Sequence, residues 1–234
     1  MAEIDASFRS TTRALCASEE SMETAHGLKI PRTLEELDPR DDVALLVYDM
    51  QVGIVGQVKA GSQIVENCRE VLALARECGM RVIFSRHLSL PRELMGAMQF
   101  RTAMAWQRVD KPDKIKPWFL RGAPAFAIVP ELAPLESEAI FDKITMSAFE
   151  GTPLTITLRD CGIRAVAIIG LAIEVGIEPT CRHAADLGFI PILLKDACGG
   201  GHEDAVQRSL EALEFSGDTI LTDIATFRDA MLRA

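Results

Sequence analysis

The sequence has no stretch long and apolar enough to cross a bilayer: its longest unbroken apolar run, Ala165 to Ile173, is nine residues, against the ~20 that a spanning helix needs. A membrane-spanning protein is excluded on that count. Basic runs are also missing, and 25 Lys+Arg against 34 Asp+Glu leave a net charge of -9. Binding a phosphate backbone rests on clustered Lys and Arg, so a nucleic-acid partner is not expected. The six cysteines (Cys16, Cys68, Cys78, Cys161, Cys181 and Cys198) form no Cys-x-x-Cys and no Cys/His pairing at zinc-finger spacing, which reads as reduced thiols acting as small hydrophobes. The N-terminal segment carries Glu3, Asp5, Arg9, Arg13, Glu19 and Glu20 without an apolar core, unlike a secretory signal. The expectation is a cytoplasmic protein whose partner is a small molecule or another protein.

What the sequence does contain is an alternation of strand and helix patterns. Val43 to Tyr48 is a continuous apolar run of strand length, as for a strand covered on both faces. Ile64, Val65, Cys68, Val71, Leu72 and Ala75 then recur at helical spacing and stop at Gly79. Met80 to Ser85, Ile140 to Asp142, Arg164 to Ile169, Phe189 to Leu194 and Thr219 to Leu221 read as further strands, with Pro191 favouring an edge or a bulge. Helices are expected over Leu154–Cys161, Val175–Leu187, Glu203–Phe215 and Asp223–Leu232. Such alternation means βαβ units, hence an α/β fold with a parallel sheet and helices on both faces.

Two stretches break the pattern. Residues 1–40 are polar, with Pro31 and Pro39, and read as an N-terminal arm preceding one domain, 41–234. Residues 87–138 form a long insertion with a helical segment, Arg92 to Arg108, and a proline-punctuated loop; insertions of that size are usually lids or oligomer contacts. Ligands of open parallel sheets bind at the carboxyl ends of strands. Those ends supply Asp49, then Arg86 and His87, then Lys143, and the turn Gly170-Leu-Ala-Ile-Glu-Val-Gly176. An aspartate, a lysine and a strand-to-helix turn at one sheet edge suit acid/base chemistry, although Asp49 alone reads equally as a cap or a salt-bridge partner. The triplet Gly199-Gly-Gly201 lacks both the Gly-Lys-Ser/Thr ending and the G-x-G-x-x-G spacing of phosphate loops.

Three segments, Val47-Tyr-Asp-Met-Gln51, Asp142-Lys-Ile-Thr-Met-Ser-Ala-Phe149 with Thr152 and Leu154, and Gly170 to Thr180 with Arg182 and Ala184, resemble the signature segments of the isochorismatase-like hydrolases, also called the cysteine hydrolase superfamily. The resemblance covers about residues 41–225. It implies a Rossmann-like three-layer α/β/α fold with a six-stranded, mostly parallel sheet, assembled as a homo-dimer or homo-tetramer. It places the catalytic acid at Asp49 and its lysine partner at Lys143. The nucleophilic cysteine of the amide-cleaving members falls on Gly176, and the backbone of an oxyanion hole falls on Leu171–Ala172 and Gly176.

Cys181 lies five residues beyond, which in a helix means about 140° of rotation and about 7.5 Å of advance, so it reads as core. The aryl-acid branches of the superfamily also lack the thiol and hydrolyse the vinyl ether of isochorismate or a related compound. The resemblance therefore implies cysteine-independent hydrolysis of a small carboxylated metabolite, with Asp49 as proton donor. Direct amide or ester hydrolysis, with Glu174 beside Lys143 activating water, and a non-catalytic metabolite-binding role are the alternatives. Gln51, Arg86, His87, Leu171, Ala172 and Glu174 are expected to contact substrate, and Arg86, Arg92, Arg101 or Arg108 to meet its carboxylates. Some amidase relatives hold a metal through several histidines after the first strand; residues 50–72 contain none, and neither a metal nor a cofactor is expected.

Overall fold

The structure, a computed structural model, describes residues 22–233. Most of the expected arm, residues 1–21, therefore lies outside the described residues. Two compact units are distinguished, divided between Arg32 and Thr33. Within the first, Thr24–Ala25 and Leu28–Lys29 pair as a short antiparallel hairpin. Leu34 and Leu37, in the second, are buried in the core of the sheet.

That second unit carries six strands: β1 (Val43–Tyr48), β2 (Arg81–His87), β3 (Ala139–Lys143), β4 (Ala165–Leu171), β5 (Ile190–Gly199) and β6 (Ile220–Thr222). They form one parallel sheet of order β3-β2-β1-β4-β5-β6, the doubly wound arrangement. Its six helices of seven residues or more are α1 (Gly61–Glu77), α2 (Ala97–Gln107), α3 (Leu154–Asp160), α4 (Glu178–Asp186), α5 (Glu203–Ser216) and α6 (Ile224–Arg233). Alternating side chains of every central strand are apolar, so each face needs a cover. Val43, Leu45 and Val47 are buried with Val71, Leu72, Phe227 and Met231, from α1 and α6. Ala44, Leu46 and Tyr48 are buried with Leu154, Leu158, Cys181, Ala184 and Leu213, from α3, α4 and α5. Each fully buried Leu or Ile contributes about 1.5–3 kcal/mol, and the two layers fix the sheet between them.

Three sequence expectations need correction. Pro191 is on an inner strand rather than an edge; β6 pairs with β5 only from Ile192 onward, so at Pro191 the missing N–H has no partner to lose on that side. The β4–β5 register shift falls later, between Ile168 and Gly170, as β5 runs on to Gly199. The single helix expected over Arg92–Arg108 is two pieces, a turn at Arg92–Leu94 and then α2, because the chain is extended at Met95 and Gly96. The helix expected from Val175 opens instead with a widened turn, Ile173–Ile177, ahead of α4.

Candidate active site

The switch point of this sheet lies between β1 and β4, where crossovers depart in opposite directions and leave a crevice at the carboxyl edge. Strand alternation decides which side chains enter it. Tyr48 pairs in register with Ser85, and His87 with Lys143; all four point to the face that carries Leu46 and Ile83. Arg86 and Asp142, one residue out of phase, pair with each other on the opposite face at 2.8 Å.

Asp49 follows at the tip of β1 with φ of 50°, a left-handed backbone that turns its carboxylate inward over the sheet edge. Its Oδ1 accepts from Ser85 Oγ at 2.7 Å and its Oδ2 from Lys143 Nζ at 2.7 Å. Both partners of this ion pair are almost fully buried, Asp49 at 4% and Lys143 at 2% exposure. Lys143 Nζ also donates to the Thr145 carbonyl at 3.2 Å and stands 4.3 Å from the centre of the Tyr48 ring. A desolvated pair is favourable only when its other hydrogen-bonding capacity is met, and these contacts meet it.

The third component is the turn after β4. The Leu171–Ala172 peptide is cis, and the N–H groups of Val175, Gly176 and Ile177 converge on the Ala172 carbonyl at 3.3, 3.0 and 3.2 Å. Gly176 is buried, and a Cβ built on it would stand 1.9 Å from Tyr48 Oη. The phenol thus fills the space of any side chain at that position. Tyr48 Oη donates to the Met146 carbonyl, and burial, followed by the Asp49 charge, holds the phenol pKa well above its usual value. It is a neutral hydroxyl.

A cavity of about 480 Å³ opens over these groups. Its floor is Tyr48, Asp49, Lys143, Leu171, Ala172 and Gly176; its walls include Trp106, Arg108, Trp118 and Phe119 from the insertion. His87 lines it too, its ring edge-on to Trp106 and Phe119. No cysteine lines it among the described residues. Cys181 is fully buried, and its thiol pKa is pushed up to about 12, chiefly by burial.

The other expected contacts are placed differently. Gln51 is fully buried and lines no part of the cavity: its Nε2 donates to the carbonyls of His87 and Phe126, both at 3.1 Å, and its Oε1 accepts the His87 N–H at 2.6 Å. Arg86 is turned away to Asp142 and lies over the Phe126 ring. Glu174 lines the cavity, but its Oε1 accepts the N–H groups of Gly201 and His202 at 2.8 and 3.1 Å, and no bond joins it to Lys143. The glycine triplet thus serves this carboxylate; a Cβ on Gly200 would stand 2.0 Å from Glu174 Oε2. Of the four arginines considered for carboxylate binding, Arg108 alone lines the cavity; Arg92 is spent on the Asp113 carbonyl. Sequence reasoning passed over Ser85 and Tyr48, both of which strand alternation places beside Asp49. Trp106 lies on the helical segment expected over Arg92–Arg108, whereas Trp118 and Phe119 carried no periodic signal.

The family model of the Isochorismatase domain matches residues 43–225. The ureidoacrylate amidohydrolase RutB of Cronobacter sakazakii is 27% identical over 206 residues, which span 80% of this chain and 88% of that protein. Among solved structures, a cysteine hydrolase from Pseudomonas syringae pv. phaseolicola superimposes with a TM-score of 0.71 at 24% identity, covering 84% of this chain and 95% of that one. N-carbamoylsarcosine amidase from Thermoplasma acidophilum gives a TM-score of 0.64 at 19% identity, with 78% and 96% covered. These two likenesses speak to the fold, and the matched family segment, running from β1 through β6 across all the strand ends that build the cavity, speaks to descent: the chain belongs to the isochorismatase family of hydrolases.

Proposed function

We propose that this hydrolase acts on a small carboxylated substrate without a covalent enzyme intermediate, and that the reaction is hydrolysis of an enol ether. The observation that carries this reading is the cavity floor: a buried aspartate held between a hydroxyl and an ammonium, beside a turn whose side-chain space is taken by Tyr48, with no thiol in reach. Acyl transfer to the enzyme has no nucleophile there. Enol-ether hydrolysis needs none. The step requires the ion-paired Asp49 carboxylate to take up a proton in the substrate complex; Asp49 then gives that proton to the terminal vinyl carbon, and the electron pair of the double bond forms the new C–H bond. The oxocarbenium ion left behind is captured by water, whose lost proton restores the acid. The hemiketal then breaks its C–O bond to release an alcohol and a ketone, so that one water is consumed overall. Lys143 and Ser85 fix the carboxyl group in place, which is where positioning lowers a barrier. Arg108 on the wall is the cation for a substrate carboxylate.

A second reading is favoured by the similarity to RutB: direct hydrolysis of an amide or ester, with Asp49 as base toward water. Purified protein incubated with isochorismate and with a panel of small amides separates the two. Expected are turnover of isochorismate that survives iodoacetamide, and a fall in kcat of about 100-fold or more in Asp49→Asn, the scale of a lost general acid. Arg108→Gly should raise KM about 10-fold with kcat held, as for loss of one charged hydrogen bond. Turnover abolished by iodoacetamide, or undiminished in Asp49→Asn, sinks the mechanism; turnover of amides alone selects the second reading.

A further inference from the structure

Tyr48 is the only tyrosine in the chain, and it stands on a strand otherwise made of aliphatic residues. Tyr48 is 2% exposed, and the hydroxyl end of its ring meets the glycine: an ideal Cβ at 176 would approach Oη at 1.9 Å, Cζ at 2.6 Å and Cε1 at 2.9 Å. Contacts under 3 Å with a rigid ring cannot be relieved by a small rotamer change, because the phenol is anchored at its far end by the Met146 carbonyl and capped by Lys143 Nζ. Gly176 is equally fixed: its carbonyl accepts Thr180 Oγ1 at 2.6 Å, and that hydroxyl accepts the Ala148 N–H at 3.1 Å.

We propose that Tyr48 is a plug: its phenol occupies the seat that a side chain at 176 would take, so positions 48 and 176 form one exchangeable unit that decides whether the site carries a neutral hydroxyl or a nucleophile. Removing the ring empties a seat that faces Asp49 and Lys143. A thiol placed there stands beside an ammonium, which favours the thiolate, and Asp49 is at hand to take its proton. The seat needs no substrate to reveal it. The proposal rests on the function proposed above only for the activation of that thiol, not for the exchange of volumes.

The test is a cycle of Gly176→Cys, Tyr48→Val and the double variant, read by thermal midpoint and by alkylation at position 176. Iodoacetamide forms an S–C bond with loss of iodide, and mass spectrometry of the peptide containing residue 176 follows it apart from the native cysteines. Gly176→Cys alone is expected to lower the midpoint by about 5 °C, the scale of an overpacked core in a domain of this size. Adding Tyr48→Val is expected to recover most of that loss. In the double variant the thiol should be alkylated about 10-fold faster than an ordinary cysteine at neutral pH, with an apparent pKa under the usual value of about 8.5. If Gly176→Cys fails to fold while the double variant folds, the plug is supported more strongly still. A Gly176→Cys variant that melts with the parent, strictly additive midpoints, or a double variant no more stable than Gly176→Cys overturns it. Coupled midpoints with an ordinary thiol pKa leave the plug standing and count against Asp49 and Lys143 as activating groups.

Discussion

The floor and the wall of this cavity are built by different means. The floor is strand tips: β1 is buried along its whole length and β4 likewise, and the groups that face the cavity are placed by pleat and register. The wall is the insertion, in which α2 has no buried residue and the remaining elements are single turns, one at Arg92–Leu94 and three opened by Pro112, Pro124 and Pro130. A few anchors hold it, among them Ile115, Phe119, Phe126 and Leu132. A floor whose geometry is shared with the sheet cannot be altered without disturbing the core, whereas a wall hung on a few anchors can. On the function proposed above, the chemistry falls where change is costly and substrate choice where it is cheap.

The sharpest way to break this contrast is at Lys143. Lys143→Met leaves Asp49 buried beside an apolar group, and removing one partner of a buried pair costs about 3–5 kcal/mol. Urea unfolding should show that loss, and pairing the change with Asp49→Leu should return most of it, because two apolar groups need no mutual solvation. Truncation of exposed wall residues such as Met98 should stay within about 0.5 kcal/mol. If Lys143→Met proves as mild as Met98→Ala, the floor is no more rigid than the wall.

The two regions meet at Gln51. Residues 50–52 run beside 126–129, with Val52 N–H donating to the Ala127 carbonyl at 2.8 Å and Val129 N–H to the Met50 carbonyl at 3.0 Å. The Gln51 amide adds its three bonds to His87 and Phe126. Gln51→Leu keeps the volume and strands those backbone groups, a cost of about 2–3 kcal/mol. Hydrogen exchange should then quicken at residues 126–129 while the amides of β1 and β4 keep their protection. Uniform quickening would mean that wall and floor open as one unit.

The same division explains what the sequence made legible. Val43–Tyr48 reads as a strand with the bounds it has, because a run buried on both faces leaves an unmistakable apolar signature. Asp49, Lys143 and the turn from Gly170 to Gly176 follow from the same pattern as strand ends, while the family resemblance alone singles out Gly176 within that turn. Ser85 and Tyr48 were within reach of the same alternation; they escape notice because a serine and a tyrosine in an apolar strand look like filler until a register brings them beside a carboxylate. Period 2 carried past Tyr48 would turn Gln51 to the same side as Asp49 and into the cavity, but the strand stops at Tyr48 and Asp49 turns with a positive φ. The wall was illegible for another reason. Beyond α2, which carries Trp106, its residues are held by caps and short turns at contacts far apart in sequence, and neither period 2 nor period 3.6 describes those.

His87 belongs to both regions, a floor residue by register with its ring set against Trp106 and Phe119 of the wall, and it gives the smallest of these effects. Burial lowers its pKa from the ordinary imidazole value, opposed by the Asp49 charge and aided by Lys143. The unfolded chain, titrating near 6.5, therefore binds more protons than the folded one in the window below that value. Stability is complete above about pH 6.5 and declines as the pH falls toward the folded-state pKa. For a half-buried ring the span is under about 1 kcal/mol. His87→Phe keeps the aromatic contact and removes the proton, so its thermal midpoint should fall less than the parent's between about pH 7.5 and pH 5.5. Equal falls would place the acid sensitivity elsewhere, and would make His87 a wall residue in energy as well as in contact.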